Sequence, residues 1–229
     1  MDFIRKSFPG KLLDLIMYRR FGKILLDYIL TIGTLPFAVP LMGFIAFFVW
    51  VKLGSPILFR QERPGLGEKP FILYKFRTMN VTHDLNGNLL PDTERLTIFG
   101  KFLRMTSLDE LPELINVLRG EMSLVGPRPL LQRYMPFFTY KEKIRFRFRP
   151  GITGLSQILG RNELSWDTRL AIDVDYVESC SLLLDIRILL LTIWRVIMHK
   201  GLRVDPSSIM LDLDTERGKP SLISSEKIC

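Results

Sequence analysis

The sequence predicts an α+β chain, mostly helical with a small β-hairpin. It also predicts an N-terminal re-entrant membrane helix and interfacial amphipathic helices. Three observations lead there. From Tyr28 to Val51, 24 consecutive residues carry no formal charge, enough to enter or cross a bilayer. Two short β-rich runs, 57–60 and 71–76, flank Arg63-Pro64-Gly65-Leu66-Gly67, a turn-forming stretch. Beyond residue 100, apolar residues recur at helical rather than alternating spacing.

The flanks of the apolar run decide how it meets the membrane. Arg5, Lys6, Lys11, Arg19, Arg20 and Lys23 precede it, and Lys52, Arg60, Arg63, Lys69, Lys75 and Arg77 follow. A spanning helix carries its lysine and arginine excess on one side. Equal basic flanks are what a segment shows when both ends stay on one face. Pro36 and Pro40 each remove a backbone donor and favour a kink that would turn the chain back. A cleavable signal peptide fits poorly, because the run starts late and lacks a small-residue cleavage site.

The remaining composition narrows the chemistry. At 47% hydrophobic residues the chain can bury a core, which excludes a disordered protein. With a single long apolar run, it is not a polytopic membrane protein. Only Cys180 and Cys229, and only His83 and His199, are present. They build neither a disulfide framework nor a thiolate or histidine metal centre, so a metal would be a hard cation on carboxylates. The net charge of +8 suits polyanionic partners.

Three regions follow: a membrane-associated segment (1–53), a catalytic domain (54–202) and a polar tail (203–229) expected to be mobile. Within the middle region, 80–93 reads as an exposed loop and 108–118 as a helix. Residues 121–129 read as a tight loop closed by Gly126-Pro127-Arg128-Pro129. Ser165 opens a helix over 165–177. A second helix over 182–199 places Leu183, Ile186, Leu190, Ile193, Trp194 and Ile197 on one side, opposite Asp185, Thr192, Arg195 and His199. That stripe suits either a membrane interface or a soluble core.

Chemistry concentrates at Ser107-Leu108-Asp109-Glu110-Leu111-Pro112. Ser107 and Glu110 match a capping box, although Pro112 moves the helix start toward Leu111 and leaves both acids in the entering turn. The positive helix end is expected to keep the carboxylates ionised. An ionised aspartate can ligate a hard cation or attack phosphorus. Arg128, bracketed by prolines, offers a rigid planar fork for phosphate oxygens. Arg145, Arg147 and Arg149 alternate with Phe146 and Phe148, so a strand would put all three arginines on one phosphate-binding face. Lys75 sits in a strand-like run and Asp173 on the 165–177 helix.

Taken together these residues resemble the small monotopic phosphoglycosyl transferases, the bacterial initiating sugar transferases. The matching blocks run in order over about residues 11–200. They include Phe59-Arg60-Gln61-Glu62-Arg63-Pro64-Gly65, Tyr74-Lys75-Phe76-Arg77-Thr78-Met79, Ser107-Leu108-Asp109-Glu110-Leu111-Pro112, Val125-Gly126-Pro127-Arg128-Pro129-Leu130, Arg149-Pro150-Gly151-Ile152-Thr153-Gly154, Gly160-Arg161-Asn162 and Asp173-Val174-Asp175-Tyr176-Val177. The compact chain is similar to the bacillosamine-type transferase of N-linked glycan assembly and is expected to lack the extra N-terminal helices of longer members.

The resemblance implies transfer of a phosphosugar from a UDP-sugar to polyprenyl phosphate, at the cytoplasmic face of a bacterial inner membrane. It implies Asp109 as nucleophile and ligand of Mg2+ (or Mn2+), Glu110 as its catalytic partner, and Lys75, Arg128 and Asp173 in the substrate site. Arg145 and Arg149 are expected beside them from their alternation with aromatics. Membrane lipids are expected partners, nucleic acid is not, and a homodimer is compatible with the sequence. Where the family usually breaks its membrane helix at Ser-Pro, this chain has Val39-Pro40, so a hydroxyl is missing and Pro36 or Thr34 would have to compensate. The rival reading is a membrane-tethered basic binding protein for nucleic acid or anionic lipid; it leaves the acidic pair and the Pro-bracketed arginine unexplained.

Overall fold

A computed structural model describes residues 17–84, 86–160, 164–198 and 211–218. Arg5, Lys6, Lys11, Arg161, Asn162, His199 and Cys229 lie outside the described residues.

One π-helical turn (Tyr18–Gly22) leads directly into α1 (Lys23–Leu53). At 1.5 Å per residue, α1 is about 46 Å long. Its backbone stays helical through Pro36 and Pro40. Each proline withholds the donor that the carbonyl four residues earlier would use, and the Thr34 hydroxyl donates nearby, to the Thr31 carbonyl at 2.8 Å. Lys23, Asp27, Thr31, Ala38, Ile45 and Val49 form one buried stripe. The opposite side is open and apolar, with Phe37, Phe44, Phe47 and Trp50 all more than half exposed. Gly54, at φ +73°, ends the helix in a conformation that only glycine adopts cheaply.

Both ends of α1 touch the rest of the chain. At the first end, Lys23 Nζ donates to Asp185 at 2.6 Å and to the Tyr176 hydroxyl at 3.0 Å. Asp27 accepts the Leu124 N–H at 3.0 Å. At the other end, Ile45 and Val49 pack with Phe76 and Leu103.

The expected hairpin is present and longer than its β-rich runs: β1 (Leu58–Pro64) pairs antiparallel with β2 (Pro70–Phe76), Phe59 opposite Lys75 and Arg63 opposite Phe71. Then come a helical turn (Asp92–Arg95), α2 (Ile98–Met105) and α3 (Glu113–Leu118). The loop before α2 is mostly exposed, as expected. Gly100 is needed in α2, because a Cβ there would meet the Thr78 carbonyl oxygen at 1.8 Å. A second pairing, β3 (Ser123–Val125) parallel with β4 (Gly151–Thr153), is too short to have left a sequence pattern. Helices α4 (Leu155–Leu159), α5 (Trp166–Ser179) and α6 (Leu182–Ile197) complete the body. The Ser165 hydroxyl caps α5 as predicted, accepting from the Thr168 N–H.

Helix α6 decides between interface and core. Ile188 and Asp185 face inward and are fully buried, whereas Leu183, Leu190, Ile193 and Trp194 stay exposed. The apolar stripe therefore looks outward, as an interfacial helix requires. The expectation of a mobile tail fails over 211–218. There α7 (Leu213–Gly218) docks on the body, with Leu213 buried beside Leu170 and Trp166 and Arg217 paired to Glu142 at 2.7 Å.

Candidate active site

Between α2 and α3 the chain makes the turn that builds the site. Ser107 takes a left-handed conformation, φ +56°, and its side chain makes no cap. Leu108–Glu110 is a single 3-10 turn, and the long helix expected from 108 begins only at Glu113, after Pro112. The capping box is thus not formed. Leu108 and Leu111 pack toward the Phe76–Leu103 cluster, which leaves Asp109 and Glu110 directed into the protein. Asn116 fixes α3 to the hairpin: its side chain accepts from the Tyr74 N–H at 3.2 Å and donates to the Ile72 carbonyl at 2.7 Å.

Glu110 is the hub of a charge cluster. Its Oε1 accepts from Lys75 Nζ at 2.7 Å and from Arg128 Nη2 at 2.8 Å. Lys75 also reaches Glu113 Oε1 at 3.1 Å. Burial alone would raise the Glu110 carboxyl, but Lys75 and Arg128 outweigh it and hold it well below the carboxylate range. Glu110 in turn raises Arg128.

Asp109 is the exception within the cluster. It is 8% exposed, and among the described residues no hydrogen bond reaches its carboxylate. Burial first and the neighbouring Glu110 charge second push it up to about 6, against the pull of Lys75, Arg104 and Arg128. The expectation that a helix end would lower this pKa therefore fails, because burial beside a like charge dominates and no regular helix starts at Asp109. Glu113, which sequence reasoning did not single out, is pushed up to about 7 by burial and by Glu110. Its spacing of three from Glu110 was the available signal, since such pairs meet on one helical face.

The other predicted residues separate into two groups. Lys75, Asp109, Glu110 and Arg128 come together. Arg145 and Asp173 form a buried ion pair at 2.8 Å behind the Arg128 loop, with side chains 2% and 3% exposed. The alternating stretch is not a strand but a 3-10 segment, Glu142–Arg147, which turns Arg145 inward and leaves Arg147 exposed. Arg149 lies against Gly120, past the far end of α3 from Glu113. Pro36 and Pro40 lie within α1.

Among the described residues no three histidine, cysteine or acidic side chains converge on one metal position. Magnesium is held by one or two carboxylates together with substrate phosphates and water. Asp109, buried and without a hydrogen bond from the described residues, is the donor suited to it.

The chain is similar to known proteins. A family described as bacterial sugar transferase matches residues 18–199. The chain is 53% identical over 155 residues to an uncharacterized sugar transferase, EpsL, of Bacillus subtilis, covering 68% of this chain and 77% of that protein. It is 42% identical over 194 residues to a UDP-glucose:undecaprenyl-phosphate glucose-1-phosphate transferase of Xanthomonas campestris, covering 78% of this chain but 39% of that protein. It is 37% identical over 202 residues to an undecaprenyl-phosphate galactose phosphotransferase of Salmonella typhimurium, covering 80% of this chain and 42% of that protein.

Proposed function

This chain belongs to the bacterial sugar transferase family, and from that premise we propose that it transfers a sugar 1-phosphate from a UDP-sugar to polyprenyl phosphate, the first membrane step of glycoconjugate assembly. The observation that carries the reading is the asymmetry of the acidic pair: Glu110 is engaged by Lys75 and Arg128, while Asp109 beside it accepts no hydrogen bond from the described residues.

In this mechanism Lys75 and Arg128 draw the donor diphosphate toward the turn, and Arg128 offsets charge that develops on its oxygens. An Asp109 carboxylate oxygen attacks the sugar-bearing phosphorus. The bond between that phosphorus and the UMP oxygen breaks, and UMP leaves with the electron pair. A phosphosugar remains on Asp109 as an acyl phosphate. An oxygen of polyprenyl phosphate then attacks the same phosphorus, the acyl bond breaks, and the Asp109 carboxylate is restored with release of polyprenyl-diphosphate-sugar. Glu110 keeps both cations in place throughout. Magnesium, or manganese, held through Asp109 and the donor phosphates, would supply charge neutralisation at the diphosphate.

The membrane arrangement follows from α1. A helix that crossed the roughly 30 Å hydrocarbon core would carry its ends to opposite faces. Here Lys23 and Asp27 at one end, and Ile45 and Val49 at the other, meet the same globular body. This supports one-sided insertion at the cytoplasmic face, where the acceptor phosphate lies within reach of the site. The exposed stripe of α6 suits the same surface.

The test is a panel of UDP-sugars with polyprenyl phosphate and Mg2+, run on purified full-length protein in nanodiscs with UMP detection and rapid quench. The expected result is UMP release with a radiolabelled phosphosugar trapped on the protein, absent in Asp109→Asn. Label reaching the lipid with no protein adduct at any quench time would refute the covalent step.

A further inference from the structure

Every backbone carbonyl of the Pro127-Arg128-Pro129 loop is held from behind by a different element. Pro127 O accepts the Gly151 N–H at 3.0 Å. Arg128 O accepts Arg145 Nη2 at 2.6 Å. Pro129 O accepts Arg63 Nη1 at 3.4 Å. Two prolines fix φ within the loop, and these three bonds fix the orientation of its peptide planes. The direction in which the Arg128 side chain leaves the backbone is thereby set.

Arg145 is itself held on several sides. The same Nη2 donates to Asp173 Oδ2 at 2.8 Å, and the Ser156 hydroxyl donates to Asp173 Oδ1 at 2.7 Å. The rings of Phe138 and Phe146 lie 5.5 and 5.4 Å from the guanidinium carbon. Arg63 is braced on β1, where its Nη2 donates to the Gln61 side chain at 2.5 Å. Arg145 Nε and Nη1, and Arg63 Nε, are buried without an acceptor among the described residues. For stability alone, apolar side chains would often serve as well as such a buried ion pair. What an apolar side chain cannot replace is the donor to the Arg128 carbonyl.

We propose that Arg63 and Arg145 are positioning residues for the transfer reaction, acting through Arg128, with Asp173 and Ser156 orienting Arg145. This rests on the function proposed above and reassigns Arg145 and Asp173, expected at the substrate itself, to a brace one layer behind it. A displacement of about 1 Å in a catalytic group can cost on the order of 100-fold in rate, so the loss should appear in kcat more than in KM.

The test is a mutant cycle on the full chain in nanodiscs. Arg145→Met alone strands the buried Asp173 charge and can fail to fold. Arg145→Met/Asp173→Asn removes both charges and keeps an acceptor for Ser156, and Arg63→Met is the second, independent variant. Folding is checked by denaturant unfolding.

In the otherwise wild-type chain each variant should lower kcat by roughly 10- to 100-fold. In an Arg128→Ala background the same changes should cost under about twofold, because groups acting through one residue are not additive. Equal loss factors in the two backgrounds would overturn the proposal and leave a general structural role. The same cycle is read on affinity for inorganic pyrophosphate, which needs no turnover. Wild-type protein that binds pyrophosphate but releases no UMP would refute the reaction, and the cycle on affinity would still decide the brace. Protein that does neither overturns both.

Discussion

Two of the clusters of buried charge among the described residues are finished differently. In the first, at the start of α1, Asp185 is satisfied from three directions. Lys23 and Tyr18 donate to one oxygen, each at 2.6 Å, and Tyr176 to the other at 2.7 Å. In the second, at the Leu108–Glu110 turn, Glu110 takes two charged donors on Oε1, while Asp109 beside it accepts no hydrogen bond among the described residues. A closed cluster contributes geometry and leaves nothing to react. The open one keeps a carboxylate that is desolvated and, among the described residues, unbonded next to a like charge, at a cost in stability, and that is the state a nucleophile requires.

The largest expected effect tests the open cluster. Asp109→Asn keeps the shape and removes the reacting oxygen's charge, so kcat for UMP release should fall by at least about 1,000-fold, as loss of a nucleophile does elsewhere. Single-turnover kinetics on folded protein checks it, and turnover within tenfold of wild type would remove Asp109 from the role. The free enzyme should also lose activity as pH falls through about 6, where Asp109 takes up its proton.

Next in size is the closed cluster. Lys23→Met leaves Asp185 buried without its cation and should cost about 3–5 kcal/mol. Lys23→Met/Asp185→Asn should recover more than half of that, with turnover per folded molecule preserved. If the double variant is no more stable than the single, the cost comes from lost packing and the contrast with Asp109 weakens.

How much of this was legible in sequence depends on range. The apolar run, the hairpin and the Ser165 cap are set by local spacing and composition, and they were readable; the stripe of α6 was readable too, but the way it faces was not. The Asp109–Glu110 pair was visible for the same reason. Its electrostatics were not: the pair resembled a helix cap until Pro112 was seen to delay α3, and burial then reversed the expected direction for Asp109. Arg145 misled because alternation with Phe146 and Phe148 has a strand period, yet its pairing with Asp173 spans 28 residues. Arg63 and the docking of α7 depend on contacts of long sequence range that no local pattern reports.

A smaller effect sharpens the comparison through stability. A carboxyl whose folded pKa is raised costs stability above its unfolded pKa, and the cost disappears once pH falls below that value. For Asp109, raised from 3.8 to about 6, the penalty is present at neutral pH and gone near pH 4. Asp109→Asn should therefore stabilise the inactive protein at pH 7.5, by on the order of 1–3 kcal/mol. Denaturant unfolding with a chelator present measures it. No gain at pH 7.5 would mean that the open cluster carries no strain.

The smallest effect asks whether closure works without deep burial. Arg217 makes a two-pronged contact with Glu142, 2.7 Å on each side, and reaches Asp167 at 2.5 Å. Burial acts to raise the Glu142 carboxyl, but Arg217 and the Thr139 N–H outweigh it and hold it below its ordinary value. A depressed carboxyl contributes stability above its unfolded pKa, and the contribution is lost as pH falls through the folded one. Arg217→Ala should cost about 1 kcal/mol at pH 7, within the range for partly exposed pairs. The difference from wild type should vanish in acid below the Glu142 pKa, with turnover unchanged throughout. A pH-independent difference would assign the docking of α7 to Leu213, buried among Leu170 and Trp166. Closed charge would then shape this protein only where solvent is excluded, and Asp109 would owe its reactivity to burial more than to its open valence.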